Sequence, residues 1–362
     1  MRGPHYPVML PEVLAATSPQ DGETYIDATF GNGGYSEGLL QSVNCRVIAL
    51  DRDPNVAPRV NELMNAYEGR FELIQTPFSK LDEFDATQQV DAVIFDIGVS
   101  SMQLDQAERG FSFMRSGPLD MRMSQSGASA ADAVRYLPLE DLISIFKVYG
   151  EERHAKRIAG AIVQARETES IVTTDRLAEL IESTVGRRGK IHPATRVFQA
   201  LRIYINDELG ELYRGLRAAE NVLKPGGRLV VVTFHSLEDR MVKQFLRSRT
   251  GEIVGGSRHM PDVAAAPPPA QFTTPKRGVV KPSKAEIEEN PRSRSAKLRY
   301  AIREKITAKT ESYDGFLPQI MSLPELEAQL WRACLPSPRA NSQAYIMGRD
   351  DFDRHRIVGA AL

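Results

Sequence analysis

Short apolar runs alternate with amphipathic stretches through the first hundred residues. Residues 25–29, 46–50, 71–75 and 90–95 read as strands, with helical segments between them. That spacing predicts a parallel sheet with right-handed crossovers. After Leu104 the alternation stops. From Pro138 to Glu208 the apolar positions fall at helical intervals: Leu142, Ile145 and Phe146, then Ile158, Ile162 and Val163, then Leu177, Leu180, Ile181 and Val185. Thr174, just before Asp175, reads as the N-cap of the last of these helices. The alternation resumes with a helix over 209–223, a turn at Lys224-Pro225-Gly226-Gly227 and a strand over 229–232. The expected fold class is therefore α/β, with the sheet domain split into 1–105 and 207–303 by a mostly helical insertion, 106–206. An insertion after the fourth strand is well placed to cover the carboxyl ends of the strands, where open α/β sheets bind ligands. Residues 255–271 read as a flexible Gly-, Ala- and Pro-rich loop, and 276–303 as closing sheet structure. The tail, 304–362, reads as loop broken by Pro318, Pro324, Pro336 and Pro338, with no function assigned.

Composition narrows the class without naming a function. A chain of 362 residues has length for two to three domains and a sizeable core. The net charge of −1 gives no global footprint for nucleic acid, so any such contact must come from local patches. Cys45 and Cys334 are too few for a disulfide scaffold or a cysteine-rich zinc site. With no signal-like N-terminus and no apolar run of membrane length, the expectation is a cytoplasmic protein without a membrane partner.

Chemistry enters at the strand ends. The strand carrying Asp27 runs into Gly31-Asn32-Gly33-Gly34, where residues without side chains allow a tight turn and close approach to a ligand. Asp51 ends the apolar run Val47-Ile48-Ala49-Leu50 about twenty residues later, where an acid can hold ribose hydroxyls. A dinucleotide fingerprint starting at Gly31 needs glycine at 36, and Ser36 stands there. No lysine follows to cradle a phosphate as in a P-loop. An adenosine cofactor lacking phosphates, S-adenosylmethionine, suits this turn better. The helix–Pro-Gly-Gly–strand unit at 224–232 resembles the one before the fifth strand of Rossmann-like methyltransferases. Each signal has a plainer reading as a capping turn, but they occur in order with Asp51 and Asp96 and favour a methyltransferase over a dehydrogenase.

Longer strings carry a closer resemblance. His5-Tyr6-Pro7-Val8-Met9 with Glu12, the segment 25–34, Asp51-Arg52-Asp53-Pro54, and Phe95-Asp96 with 98–105 form the first group. Arg109-Gly110-Phe111-Ser112-Phe113, 117–123, Tyr149-Gly150-Glu151-Glu152-Arg153, 191–199, Leu201-Arg202, 234–240 and 290–298 form the second. Over residues 5–303 the chain resembles the bacterial RsmH (MraW) family of 16S rRNA cytosine-N4 methyltransferases. The resemblance implies a class I methyltransferase domain with an inserted helical domain for substrate recognition. It also implies N4-methylation of a cytidine near the decoding site, with the small ribosomal subunit or its 16S rRNA as partner. Tyr35 departs from the family pattern, which commonly has histidine there.

The resemblance implies cofactor contacts from Gly33, Gly34, Tyr35, Asp51, Phe78, Asp96 and Gln103, to which the strand-end reading adds Asp27 and Gly31. Phe78 can flank an adenine or simply pack in the core. Asp96 is the expected catalytic group, accepting a hydrogen bond from an exocyclic amine beside the carbonyls of Ile97 and Gly98. Other amino-methyltransferases carry an Asp-Pro-Pro-aromatic string at this strand end. Here Asp96-Ile97-Gly98-Val99 has no aromatic, so Phe111, Phe113 or Phe234 is expected to stack on the base. His235 is expected as a catalytic wall residue, and Ser236 as the cap of the following helix. No metal is assigned. RNA contacts are expected from Arg187, Arg188, Lys190 and Arg196, with Arg202 following, and from Arg292, Arg294, Lys297 and Arg299. The last four lie in a segment, 276–303, with nine Lys or Arg against three Glu. For 187–190 a solvated face is an equally good reading. The alternatives are an RNA-binding assembly factor that keeps the fold, and a DNA cytosine-N4 methyltransferase. The intact glycine turn, Asp51 and Asp96 count against the first, and the missing Asp-Pro-Pro-aromatic string against the second.

Overall fold

The computed structural model describes residues 7–187, 189, 191–251, 270–276, 278–304 and 322–334. All but the last two residues of the expected loop at 255–271, and most of the tail, lie outside these residues. The first half of the sheet domain contains α1 (Leu10–Thr17), β1 (Thr24–Asp27), α2 (Gly34–Ser42), β2 (Arg46–Asp51), α3 (Ala57–Ala66), β3 (Phe71–Gln75) and β4 (Val90–Asp96). After α4 (Ser101–Asp105) come α5 (Ala130–Tyr136), α6 (Leu139–Val148), α7 (Ala155–Ala165), α8 (Thr174–Val185) and α9 (Ala194–Ile205). Then follow α10 (Glu208–Val222), β5 (Leu223–Thr233), α11 (Ser236–Arg249), β6 (Phe272–Thr273), α12 (Lys284–Glu289), β7 (Lys297–Arg303) and α13 (Leu323–Cys334).

The strands form one sheet in the order β3-β2-β1-β4-β5-β7-β6. The first five are parallel, and β7 runs antiparallel to β5 and β6. The central parallel strands β2, β4 and β5 read as nearly continuous apolar runs because both of their faces are covered. Ile26, Ile48, Phe95 and Val231 pack on one face, together with the apolar stripes of the 130–205 helices. Their alternates Tyr25, Val47, Ile94 and Val230 pack on the other, against Val13, Leu39 and Leu63. The helical segment thus shares one core with the sheet.

The structure corrects four local expectations. The Lys224–Gly227 stretch does not separate a helix from a strand. It is an irregularity within β5, where pairing with β4 jumps from Val90 and Leu223 to Ala92 and Arg228. Gly226, at φ 84°, supplies the left-handed residue this excursion requires. Thr174 is the first residue of α8 rather than its cap. Its hydroxyl is engaged by the 115–117 segment, donating to Arg115 O at 3.2 Å and accepting from Gly117 N–H at 3.1 Å. The 276–303 segment is only partly sheet, since α12 and a short 3₁₀ turn, Pro291–Ser295, precede β7. The tail is not all loop: α13 docks on the helical segment through Leu326, which is fully buried.

Candidate active site

The strand order reverses between β1 and β4, and a crevice opens beyond their carboxyl ends, the expected place for a ligand. A cavity of about 580 Å³ occupies it. Its floor is the ends of β1, β2 and β4, carrying Asp27, Asp51 and Asp96, and its far wall is α9 with Thr195, Phe198, Gln199 and Arg202. Of the expected cofactor residues, Asp27, Gly31, Gly34, Tyr35, Asp51, Phe78, Asp96 and Gln103 line it. Gly33 stands just behind.

The glycine turn is shaped by its neighbours. Gly33 caps α2 in the left-handed region at φ 71°, and a Cβ there would stand 2.7 Å from the Phe30 ring. A Cβ on Gly34 would lie 2.6 Å from Cβ of Pro7. Gly31, also left-handed at φ 53°, has open space beside it. It donates its N–H to Asp51 Oδ2 at 2.8 Å, and Asp53 N–H donates to Oδ1 at 2.8 Å. Two backbone donors therefore fix the Asp51 carboxylate while its remaining lone pairs face the cavity. Tyr35 is buried, and its hydroxyl donates to Val8 O at 2.5 Å, so the aromatic ring anchors the N-terminal segment to α2. Burial pushes this phenol well above its usual range. Phe78 lines the cavity and also packs in the core, meeting Phe95 edge-on with ring centroids 5.5 Å apart.

Three carboxyl groups are crowded into this floor. Asp27 accepts from Ser36 Oγ at 2.7 Å; burial raises its pKa to about 6, and the nearby Asp51 charge also acts in that direction. Burial likewise raises Asp51. Asp96 is pushed furthest, to about 8, by burial first and then by the charges of Asp27 and Glu238. Its Oδ1 is inaccessible and has no hydrogen-bond partner among the described residues. A cationic, polar ligand would satisfy these acids; an anionic phosphate would not.

His235 lines the cavity, but its place differs from expectation, because it and not Ser236 caps α11. Its Nδ1 accepts from Glu238 N–H at 3.4 Å, while Glu238 Oε2 accepts from the N–H groups of Phe234 and His235 at 2.8 and 3.1 Å. Ser236 instead donates to Glu151 Oε2 at 3.0 Å. The second imidazole nitrogen, Nε2, lies 2.8 Å from Glu238 Oε1, although neither atom makes a hydrogen bond of good geometry among the described residues. Atoms of Glu208, His235 and Glu238 approach within 4.8 Å of one another, a spacing a metal could use. Both oxygens of Glu208 are already taken by Arg202, at 2.8 Å each.

That pairing places Arg202 inside the protein and not on the expected basic surface. Arg187 is exposed near Glu182, and Arg196 is exposed on α9. Arg188 and Lys190 lie outside the described residues. Arg292 stands at the cavity rim, paired with Asp105 at 2.8 Å, and Arg294 is exposed. Lys297 and Arg299 both pair with Asp239, at 3.1 and 2.8 Å, so a phosphate would have to displace that carboxylate. All three candidate stacking rings, Phe111, Phe113 and Phe234, line the cavity. Phe113 is braced edge-on by Phe198, with centroids 4.9 Å apart.

The sequence reading missed a buried hub beneath the cofactor floor. Asp53 Oδ2 accepts from Gln103 Nε2 at 2.8 Å and Arg109 Nη1 at 2.9 Å, and Arg109 Nη2 continues to the carbonyls of Arg122 and Met123. The only local signal was Asp53 before Pro54, where its side chain caps a short turn by accepting from Asn55 N–H at 3.1 Å. Gln103 is thus held by a carboxylate that the sequence gives no reason to single out.

A parallel sheet of this order with an antiparallel seventh strand, a glycine turn after β1, an acid ending β2 and a buried acid ending β4 define a class I, S-adenosylmethionine-dependent methyltransferase. The family model of the MraW methylase family matches residues 2–304, and the chain belongs to that family. It is 56% identical over 332 residues to a ribosomal RNA small subunit methyltransferase H of Maricaulis maris, covering 90% of this chain and 99% of that one. A protein of the same name from Hyphomonas neptunium is 52% identical over 328 residues, covering 89% and 94%.

Proposed function

We propose that this protein transfers the methyl group of S-adenosylmethionine to N4 of a cytidine in 16S rRNA, near the decoding site of the small ribosomal subunit. A ribosomal substrate would place it in the cytoplasm. The observation that carries the reading is Asp96, a carboxyl with an unpartnered buried oxygen at the floor of a cavity shared by the cofactor strands and the α9 wall.

The bound cofactor supplies an activated methyl group on a sulfonium. Asp51, held by two backbone N–H groups, would accept from the ribose hydroxyls, and Asp27 would face the amino group. Glycine at 31 leaves room for close approach, and Phe78 would flank the adenine. The exocyclic amine of cytosine is a poor nucleophile because its lone pair is conjugated into the ring. Asp96 would accept a hydrogen bond from that amine, favour its pyramidal form and take up its proton as the new N–C bond forms. Phe111, Phe113 and Phe234 would hold the ring, and alignment would supply much of the remaining rate. A base within structured RNA has to be extruded to reach this depth, at a cost of about a few kcal/mol. On this reading the 106–206 segment recognises the substrate and the 1–105 and 207–303 segments bind the cofactor.

Labelled methyl transfer should be compared on unmodified small subunits, naked 16S rRNA and cytosine-containing DNA. Label confined to RNA supports the reading. Label in DNA alone would favour the DNA enzyme, and RNA binding without transfer would favour an assembly factor.

A further inference from the structure

Glu151 adopts a left-handed backbone, at φ 47°, in the loop between α6 and α7. Non-glycine residues rarely hold this conformation unless their surroundings impose it. The preceding Gly150 is closely packed: a Cβ there would stand 2.7 Å from the carbonyl oxygens of both Arg196 and Phe146. The turn sets Glu151 between α9 and α11, with 49% of its side chain exposed. Oε2 accepts from Ser236 Oγ at 3.0 Å, and Oε1 accepts from Arg240 Nη2 at 3.2 Å. Arg196 Nη1 donates to the Glu151 carbonyl at 3.4 Å. Ser236 follows His235 and Arg196 follows Thr195, and both of those neighbours line the cavity.

The Ser236 hydroxyl at the start of the 14-residue α11 and the Arg240 guanidinium therefore meet on one exposed carboxylate beside the cavity, while the Arg196 guanidinium holds the backbone carbonyl of the same residue. This donor set suits a phosphodiester as well as a carboxylate. Arg153, Lys156 and Arg157 are exposed beside it. An exposed ion pair contributes little to stability, so exchanging the carboxylate for a phosphate carries a small penalty. A nucleotide whose base lies in the cavity brings its own phosphates to this rim.

We propose that Glu151 holds the place of a backbone phosphate of the RNA strand. On binding, Ser236 and Arg240 pass from the carboxylate to the phosphate, and Glu151 turns to solvent. The inference rests on the RNA substrate proposed above.

Arg240→Gln and Glu151→Gln break the same ion pair, so a purely structural role would move both variants alike. Phosphate exchange moves them in opposite directions. Binding of small ribosomal subunits, titrated with salt, should weaken several-fold in Arg240→Gln. The slope of log affinity against log salt should become shallower by about 0.7–0.9. Glu151→Gln should bind several-fold more tightly, with no loss of slope, and Ser236→Ala should weaken binding. S-adenosylmethionine affinity, measured alongside, should stay at the wild-type value in all three, which also shows that they are folded. Equal shifts in the two glutamine variants, or none, would overturn the proposal. If the wild type neither binds nor methylates the subunits, the substrate reading fails and this inference falls with it. If the wild type does both and the variants do not diverge, this inference alone is wrong.

Discussion

Three acids, Asp27, Asp51 and Asp96, crowd the floor of one cavity, a setting that favours a cationic ligand. Asp96 is raised to about 8 and Asp27 to about 6, from an unfolded value of about 3.9. The folded state without cofactor therefore holds protons that the unfolded chain has lost, and stability falls as pH rises from about 4 to about 8. A cationic cofactor favours the ionised acids, so its affinity should rise across the same window. Thermal melts from pH 5 to 8.5, with and without S-adenosylmethionine, check both signs. Asp96→Asn should flatten the pH dependence of the free protein and lower the methyl-transfer rate by about 10²–10⁴. An unchanged rate would remove Asp96 from catalysis. Asp27, Asp51 and Asp96 were legible because each ends an apolar run. His235 as the helix cap was not, since Ser236 looks the better cap until Glu238 is seen reaching both the backbone and the imidazole.

At the scale of elements, the glycine turn and the hub beneath it hold the cofactor floor in place. Gly34→Ala sets a methyl group against Pro7, so the start of α2 must shift. Calorimetry should show cofactor affinity reduced by an order of magnitude or more, with the fold retained. Arg109→Ala should behave differently. It strands Asp53 in a site where the paired side chains are only 9% and 6% exposed, and breaking such a pair costs about 3–5 kcal/mol. Urea unfolding measures that cost directly, and a loss below about 1 kcal/mol would show the pair to be solvated. Strands were legible to within two residues at their carboxyl ends because burial makes the central ones, β2, β4 and β5, nearly unbroken apolar runs. The Asp53–Gln103–Arg109 hub was not, because its members lie 50 and 56 positions apart and only the fold brings them together.

Across the whole molecule, a single hydrophobic core joins one sheet face to the inserted helices, and α13 adds to it through Leu326. Leu326→Ala should therefore lower global stability by about 2–5 kcal/mol, not merely release the tail. A melting temperature equal to wild type would mean α13 is dispensable. The break in strand–helix alternation after β4 made the insertion visible in the sequence. Its shared core was not visible, because helical periodicity shows which face is apolar but not what covers it. Nor were the ion pairs that occupy Lys297 and Arg299, since Asp239 lies 58 and 60 positions away. The most direct test of the central claim is nucleoside mass spectrometry of 16S rRNA from unmodified small subunits incubated with this protein and S-adenosylmethionine. The account predicts a new N4-methylcytidine. A methyl group on carbon 5 of the base, on the ribose, or on no nucleoside at all would contradict it.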